Sequence, residues 1–162
     1  MTNTSFQVSD LTALYLQNHE GGASAGSKFF RRVGHSQRNR PWGDEVNHIS
    51  REVSEDLQSL RRLMRKEHVT RNLLLDAAMQ AGELAGRLKP NGRIVRRSPL
   101  SDLVEVEGLL DAVRAKAAGW QALLAADPAH FAADVEPLVG RAESQINRLV
   151  EIHRTVAADV LP

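Results

Sequence analysis

The stretch SPLSDLVEVEGLLDAVRAKAAGWQALL, residues 98–124, decides how the rest of the chain is read. Leu103, Val106, Leu110, Val113, Ala117, Trp120 and Leu124 recur at alternating steps of three and four, which lays a single apolar stripe along an α-helix. A strand would need alternation at every second residue, and none is present. Ser98 or Ser101 offers an oxygen to cap the first turn, and Asp127-Pro128 ends the helix. A helix with one apolar side needs other elements to cover it, so the rest of the chain must supply them.

Three further segments have the same character. From Pro41, a favourable first-turn residue, to about His68, the stripe Trp42, Val46, Ile49, Val53, Leu57, Leu60 and Met64 predicts a helix. From Pro128 to Val160 the stripe is Phe131, Val135, Leu138, Ala142, Ile146, Leu149, Val156 and Val160, with a kink or break expected at Pro137. Ser9 or Asp10 caps a first helix that runs to about Val33 and places Leu11, Tyr15, Gly22, Gly26, Phe29 and Val33 on one face. Residues 71 to 88 predict a shorter helix with one narrow polar row, Asp76, Gln80, Glu83 and Arg87. Its Ala78, Gly82 and Gly86, spaced by four, permit close backbone approach, and this segment is expected to serve core packing or a homo-oligomer contact. Residues 89 to 99 read as a linker with a turn at Asn91-Gly92. The expected fold is all-α: a four-helix bundle of up-down pairs, with an additional shorter helix in the crossover between the second and fourth predicted helices. Residues 9 to 162 form its single domain and residues 1 to 8 a flexible N-terminus.

Composition narrows the chemistry. The 162 residues include no cysteine, which excludes a disulfide framework, a thiolate metal site and a cysteine nucleophile, and fits a cytoplasmic setting. The first ten residues lack a secretory pattern, and no apolar run is long enough to span a bilayer. Aromatic residues make up 4%, too few for a base-stacking platform, so a nucleic-acid partner is not expected. Charge is divided: residues 1 to 97 carry 16 Lys and Arg against 10 Asp and Glu, while residues 98 to 162 carry 5 against 10. Either the two parts of one fold attract each other or the basic part holds anions. For the second case the candidates are Arg31, Arg32, Arg38, Arg40, Arg93, Arg96 and Arg97, gathered at one basic pole.

Bundles hold metals where carboxylates and imidazoles converge from facing helices. His19 falls on the buried side of the first helix and Asp56 at the margin of the second, with Glu52 one turn earlier; Glu107 flanks the next stripe and His153 lies near the last. These five are the candidate ligands for iron or another divalent metal. Glu45 and His48 have the Glu-x-x-His spacing of di-iron bundles, but no second such pair exists, so di-iron enzymology is not expected. Neither a phosphate-binding glycine loop nor a nucleophile elbow is present. Gly22 and Gly26 each cost a helix roughly 1 kcal/mol relative to alanine. Room for a large neighbour such as Trp42 or Trp120 would offset that, and so would space beside His19 for an ion or small molecule.

Residues YLQNH (15–19), SREVSEDLQSLRRLM (50–64), GRLKPNGRI (86–94) and SPLSDLVEVEGL (98–109) together resemble a family of uncharacterised bacterial helical-bundle proteins. The resemblance covers most of the chain and implies a bundle of ferritin-like shape, without implying an activity or ligands. The expected function is a non-enzymatic, self-associating binding or assembly module with no cofactor, in which a protein partner has a place. The alternatives are a ferritin-like metal-binding bundle in metal storage or redox defence, and an anion or nucleic-acid binder.

Overall fold

The computed structural model describes residues 8–72 and 98–161, and every regular element among them is a helix. They are α1 (Asp10–Ser36), α2 (Gly43–Lys66), α3 (Pro99–Ala126) and α4 (Pro128–Val160). The additional short helix and the self-association surface expected at residues 71 to 88 fall almost wholly outside the described residues, as does residues 1–7 of the N-terminus. None of the described helices is long and apolar enough to cross a membrane.

Local chemistry sets the ends. The Ser9 hydroxyl accepts from the Thr12 N–H at 3.2 Å and opens α1. Asp127 both closes α3 and caps α4, accepting from the His130 N–H at 3.0 Å, so one residue joins the two helices. Pro137 lies in the third turn beyond that cap, and α4 continues through it as one helix. At the end of α2, His68 takes a left-handed conformation (φ 57°). The Val69 N–H then bonds the Met64 carbonyl at 2.8 Å and the His68 N–H bonds the Arg65 carbonyl at 3.2 Å, the paired closure usually served by glycine.

Between α1 and α2 the chain reverses through consecutive backbone bonds, Arg40 N–H to Gln37 O and Gly43 N–H to Arg40 O, both 2.9 Å. This reversal leaves no room at Gly43. A β-carbon there would lie 2.4 Å from the Gln37 carbonyl oxygen and 3.0 Å from the Arg38 backbone.

The helices pack as a bundle in which α1 touches α2 and α3, and α4 touches α2 and α3. Each neighbouring pair is antiparallel. The His19 ring lies against Gly119 and Phe29 against Gly108, so α3 descends as α1 rises. Glu45 meets Arg148 and Glu67 meets His130, so α2 and α4 are likewise opposed. Consequently α2 ends at the pole opposite to the one where α3 begins.

The apolar interior comes in two parts, each fed by all four helices. One contains Phe30, Ile49, Val113 and Leu149. The other contains Leu16, Met64, Trp120 and Phe131. Between them lies a polar layer at the level of Asp56, Lys116 and Gln145. The α2, α3 and α4 stripes match the sequence expectation closely. The α1 stripe is displaced: Leu11 is 78% exposed, and the fully buried line instead runs through Leu16, Glu20, Ser24, Ser27 and Phe30. Polar residues hide that line from an apolar count, yet they are buried because they are paired. Ser27 and Ser54 hydroxyls bond at 3.1 Å, and Arg61 donates to Glu20 at 2.7 Å.

Candidate functional site

Each seam along α1 and α3 places a glycine on one helix opposite a ring or a small residue on the other. A β-carbon at Gly119 would come within 2.7 Å of the His19 ring, and one at Gly108 within 2.9 Å of Phe29. A β-carbon at Gly26, by contrast, would meet only Ala112, at an ordinary 4.0 Å. Below Gly22 and Gly26 the packing leaves a cavity of about 290 Å3, walled by Leu16, Phe30, Val53, Leu60, Val113, Trp120 and Leu123. Asn18 and Ala115, both exposed, also line it, so it reaches solvent along the α1–α3 seam. The glycines of α1 thus open space rather than merely admit a large neighbour.

The polar side chains in this wall include His19, Asp56 and Lys116. His19 stacks tilted on Tyr15, ring centroids 4.4 Å apart, and burial pushes its pKa below the ordinary 6.5. A group depressed in the folded protein binds fewer protons there than when unfolded, so its contribution to stability is present above 6.5 and is lost as pH falls through the lower folded value. The urea midpoint of the wild type is therefore expected to fall below pH 6.5, and His19→Gln to flatten that part of the profile. Identical profiles for the two proteins would show that the ring is fully hydrated.

Lys116 is the centre of the polar layer. Its side chain is 12% exposed, and from α3 it reaches across the bundle to donate to Asp56 of α2 and to Gln145 of α4. Burial lowers its pKa and the positive charge of Arg141 adds to the lowering, while Asp56 and Glu52 pull the other way. Asp56 is 1% exposed and has a second cation, Arg141, at 3.1 Å. Gln145 is fully buried; its amide donates to Glu52 at 3.0 Å and to Asp56 at 3.3 Å. Arg148 continues the seam, donating to Glu45 at 2.9 Å and also to Glu52. Burial alone would raise the pKa of Glu52, but hydrogen bonds from Arg148 and Gln145 and the charges of Arg148 and His48 hold it below the ordinary range. Trp120 adds a buried indole N–H without an acceptor among the described residues.

The five candidate metal ligands are distributed over two places. His19 and Asp56 share the cavity wall, and Glu52 adjoins Asp56 through Gln145. Glu107 and His153 form a separate outer pair, Nε2 to Oε1 at 3.3 Å. Among the described residues no three of His, Asp or Glu converge as a metal would require. Both Asp56 and Glu52 have cationic side chains as partners.

The proposed anion pole is balanced by acid. Arg32 donates to Glu105 at 2.9 Å, Arg40 pairs with Asp102, and Gln37 bridges the two carboxylates at 2.9 and 3.0 Å. Arg31 and Arg38 are exposed at the same end, and Arg38 donates to the His35 carbonyl at 3.4 Å. Arg93, Arg96 and Arg97 lie outside the described residues. The charge division of the sequence reappears here and in Lys66–Asp134 as attraction between α1–α2 and α3–α4. Compared with known families, curated proteins and solved structures, the chain matches none.

Proposed function

We propose that the protein is a binding module that admits one small apolar molecule to the cavity between α1, α2 and α3. The observation that carries this reading is an open, apolar space of about 290 Å3 lined by Gly22 and Gly26. Apolar cavities of roughly 150 Å3 hold a molecule the size of benzene, so a ligand of about two rings suits this one. Such ligand sites begin near roughly 300 Å3. The antiparallel order, with α2 and α3 joined between opposite poles, supports a bundle of ferritin-like connection, while the pairing of Asp56 and Glu52 with cations favours an organic ligand over a metal.

The test is titration with the neutral fluorescent probe N-phenyl-1-naphthylamine. Saturable binding by the wild type at one site is expected, and Gly26→Leu, which projects a side chain into the cavity, should weaken it at least tenfold. Gly140→Leu is the control: Gly140 is exposed on α4 with nothing within 4 Å of its would-be β-carbon, and binding should not change. Absence of saturable binding by the wild type, or equal binding by Gly26→Leu, overturns the reading.

A further inference from the structure

We propose that Lys116 captures a neutral, apolar aldehyde in this cavity as a reversible imine, with Asp56 serving as counter-ion to the protonated adduct. The proposal rests on the cavity being a ligand site and goes on to name the ligand's reactive group. Among the residues that form the cavity, only Lys116 has an amine. It stands where apolar wall meets polar layer, so a ligand body lying against Trp120 and Leu123 can present its head group to the lysine side chain.

Charge decides between a carbonyl and a carboxylate as that head group. Asp56 already neutralises Lys116, so a ligand carboxylate would bring a second negative charge into a site that has its counter-ion. A neutral carbonyl changes nothing in the balance. An ammonium and an aldehyde give an iminium and a water molecule, and the single positive charge beside Asp56 is retained. The intermediate state is also provided for: while the amine is free of its extra proton, Arg141 still faces Asp56 at 3.1 Å.

The step is simple addition and dehydration. The free amine of Lys116 adds to the carbonyl carbon, forming the C–N bond as the carbonyl electron pair moves to oxygen, which takes a proton. The carbinolamine hydroxyl then takes up the proton first released by the ammonium and leaves as water when the nitrogen lone pair closes the C=N bond. His19, whose imidazole burial favours in its neutral form, lines the same cavity and can hold the proton released by the ammonium. No oxidant or reductant is needed, and hydrolysis reverses the capture.

The probe is 2-naphthaldehyde, with its alcohol, 2-naphthalenemethanol, as the isosteric control. The wild-type protein is incubated with the aldehyde, reduced with cyanoborohydride, and analysed by intact mass and peptide mapping. One adduct at Lys116 is expected, formed at least tenfold faster than at Lys28 or Lys66, and excess alcohol should protect Lys116. Lys116→Arg should lose the adduct; because that variant bears on the polar layer, protection of the wild type by the alcohol provides the same information without it. Labelling of Lys116 no faster than of the other lysines overturns the imine. If the alcohol nonetheless binds, as read by calorimetry, the cavity reading stands without it; if neither compound binds, both fall.

Discussion

Asp56→Ala is expected to lower the free energy of unfolding by about 3–5 kcal/mol, the range for removing one member of a buried ion pair. Lys116 would keep only the Gln145 oxygen as an acceptor, and Arg141 would face it across the vacated space with no carboxylate between them. Lys116 cannot escape easily, because the layer lies between two apolar clusters, whereas Arg141 is 37% exposed and keeps Glu55 at 3.0 Å. Urea titration of the single variants, Asp56→Ala and Lys116→Met, and of the double variant provides the decisive measurement. The double variant should be more stable than Asp56→Ala alone, since it removes the stranded ammonium as well. A loss below about 1 kcal/mol for Asp56→Ala, the range of exposed pairs, would mean that water reaches the layer and that the pair is not a buried one.

Gly43→Ala is expected to cost about 3 kcal/mol, the upper end of the ordinary penalty for overpacking. The obstruction is backbone, not a side chain that can rotate away: the new carbon meets the Gln37 carbonyl at 2.4 Å. Relief requires widening the reversal between α1 and α2, which would also move Gln37 from Asp102 and Glu105. Chemical denaturation of Gly43→Ala beside Gly140→Ala separates this from intrinsic helix propensity. The second change meets nothing and should stabilise by up to about 1 kcal/mol. Equal midpoints for the two variants would show that the reversal gives way without penalty.

The helices of the bundle were legible because three of the four carry large apolar groups at regular steps. Position 145 shows where the apolar count is blind. Leu138, Ala142, Gln145, Leu149, Ile152 and Val156 advance by four and three without interruption, so Gln145 occupies a core position of the seam. An amide there reads as an edge residue until its partners, Lys116 and Glu52, are known. Lys116 is similar: it sits three residues after Val113 and four before Trp120, beside the stripe, and its length alone takes it inward. On α1 the same effect displaced part of the face, since Glu20, Ser24 and Ser27 hold positions that the pattern assigns to large apolar groups, while Val33 is buried as expected. His19 and Asp56 line one cavity, a proximity that angular position and height along the helix suggest. The partners of Asp56, Lys116 and Arg141, do not follow from periodicity, because pairing across the bundle depends on three-dimensional partners that periodicity does not encode.

The unequal seams also govern which helix can yield. Along α2 and α4, Arg141 and Arg148 repeat at seven residues and meet Glu45, Glu52, Glu55 and Asp56, so sliding by one turn would misalign the whole series and strand Lys116. That side resists the one-turn ratchet by which packed helices often exchange states. Along α1 and α3 the contacts flanking the cavity are rings resting on glycine and one glycine facing alanine, and charge fixes the register at the pole beyond them, where Arg32 meets Glu105. The proposed guest would therefore enter most easily between α1 and α3 beside the cavity, with the α2–α4 seam as the fixed spine.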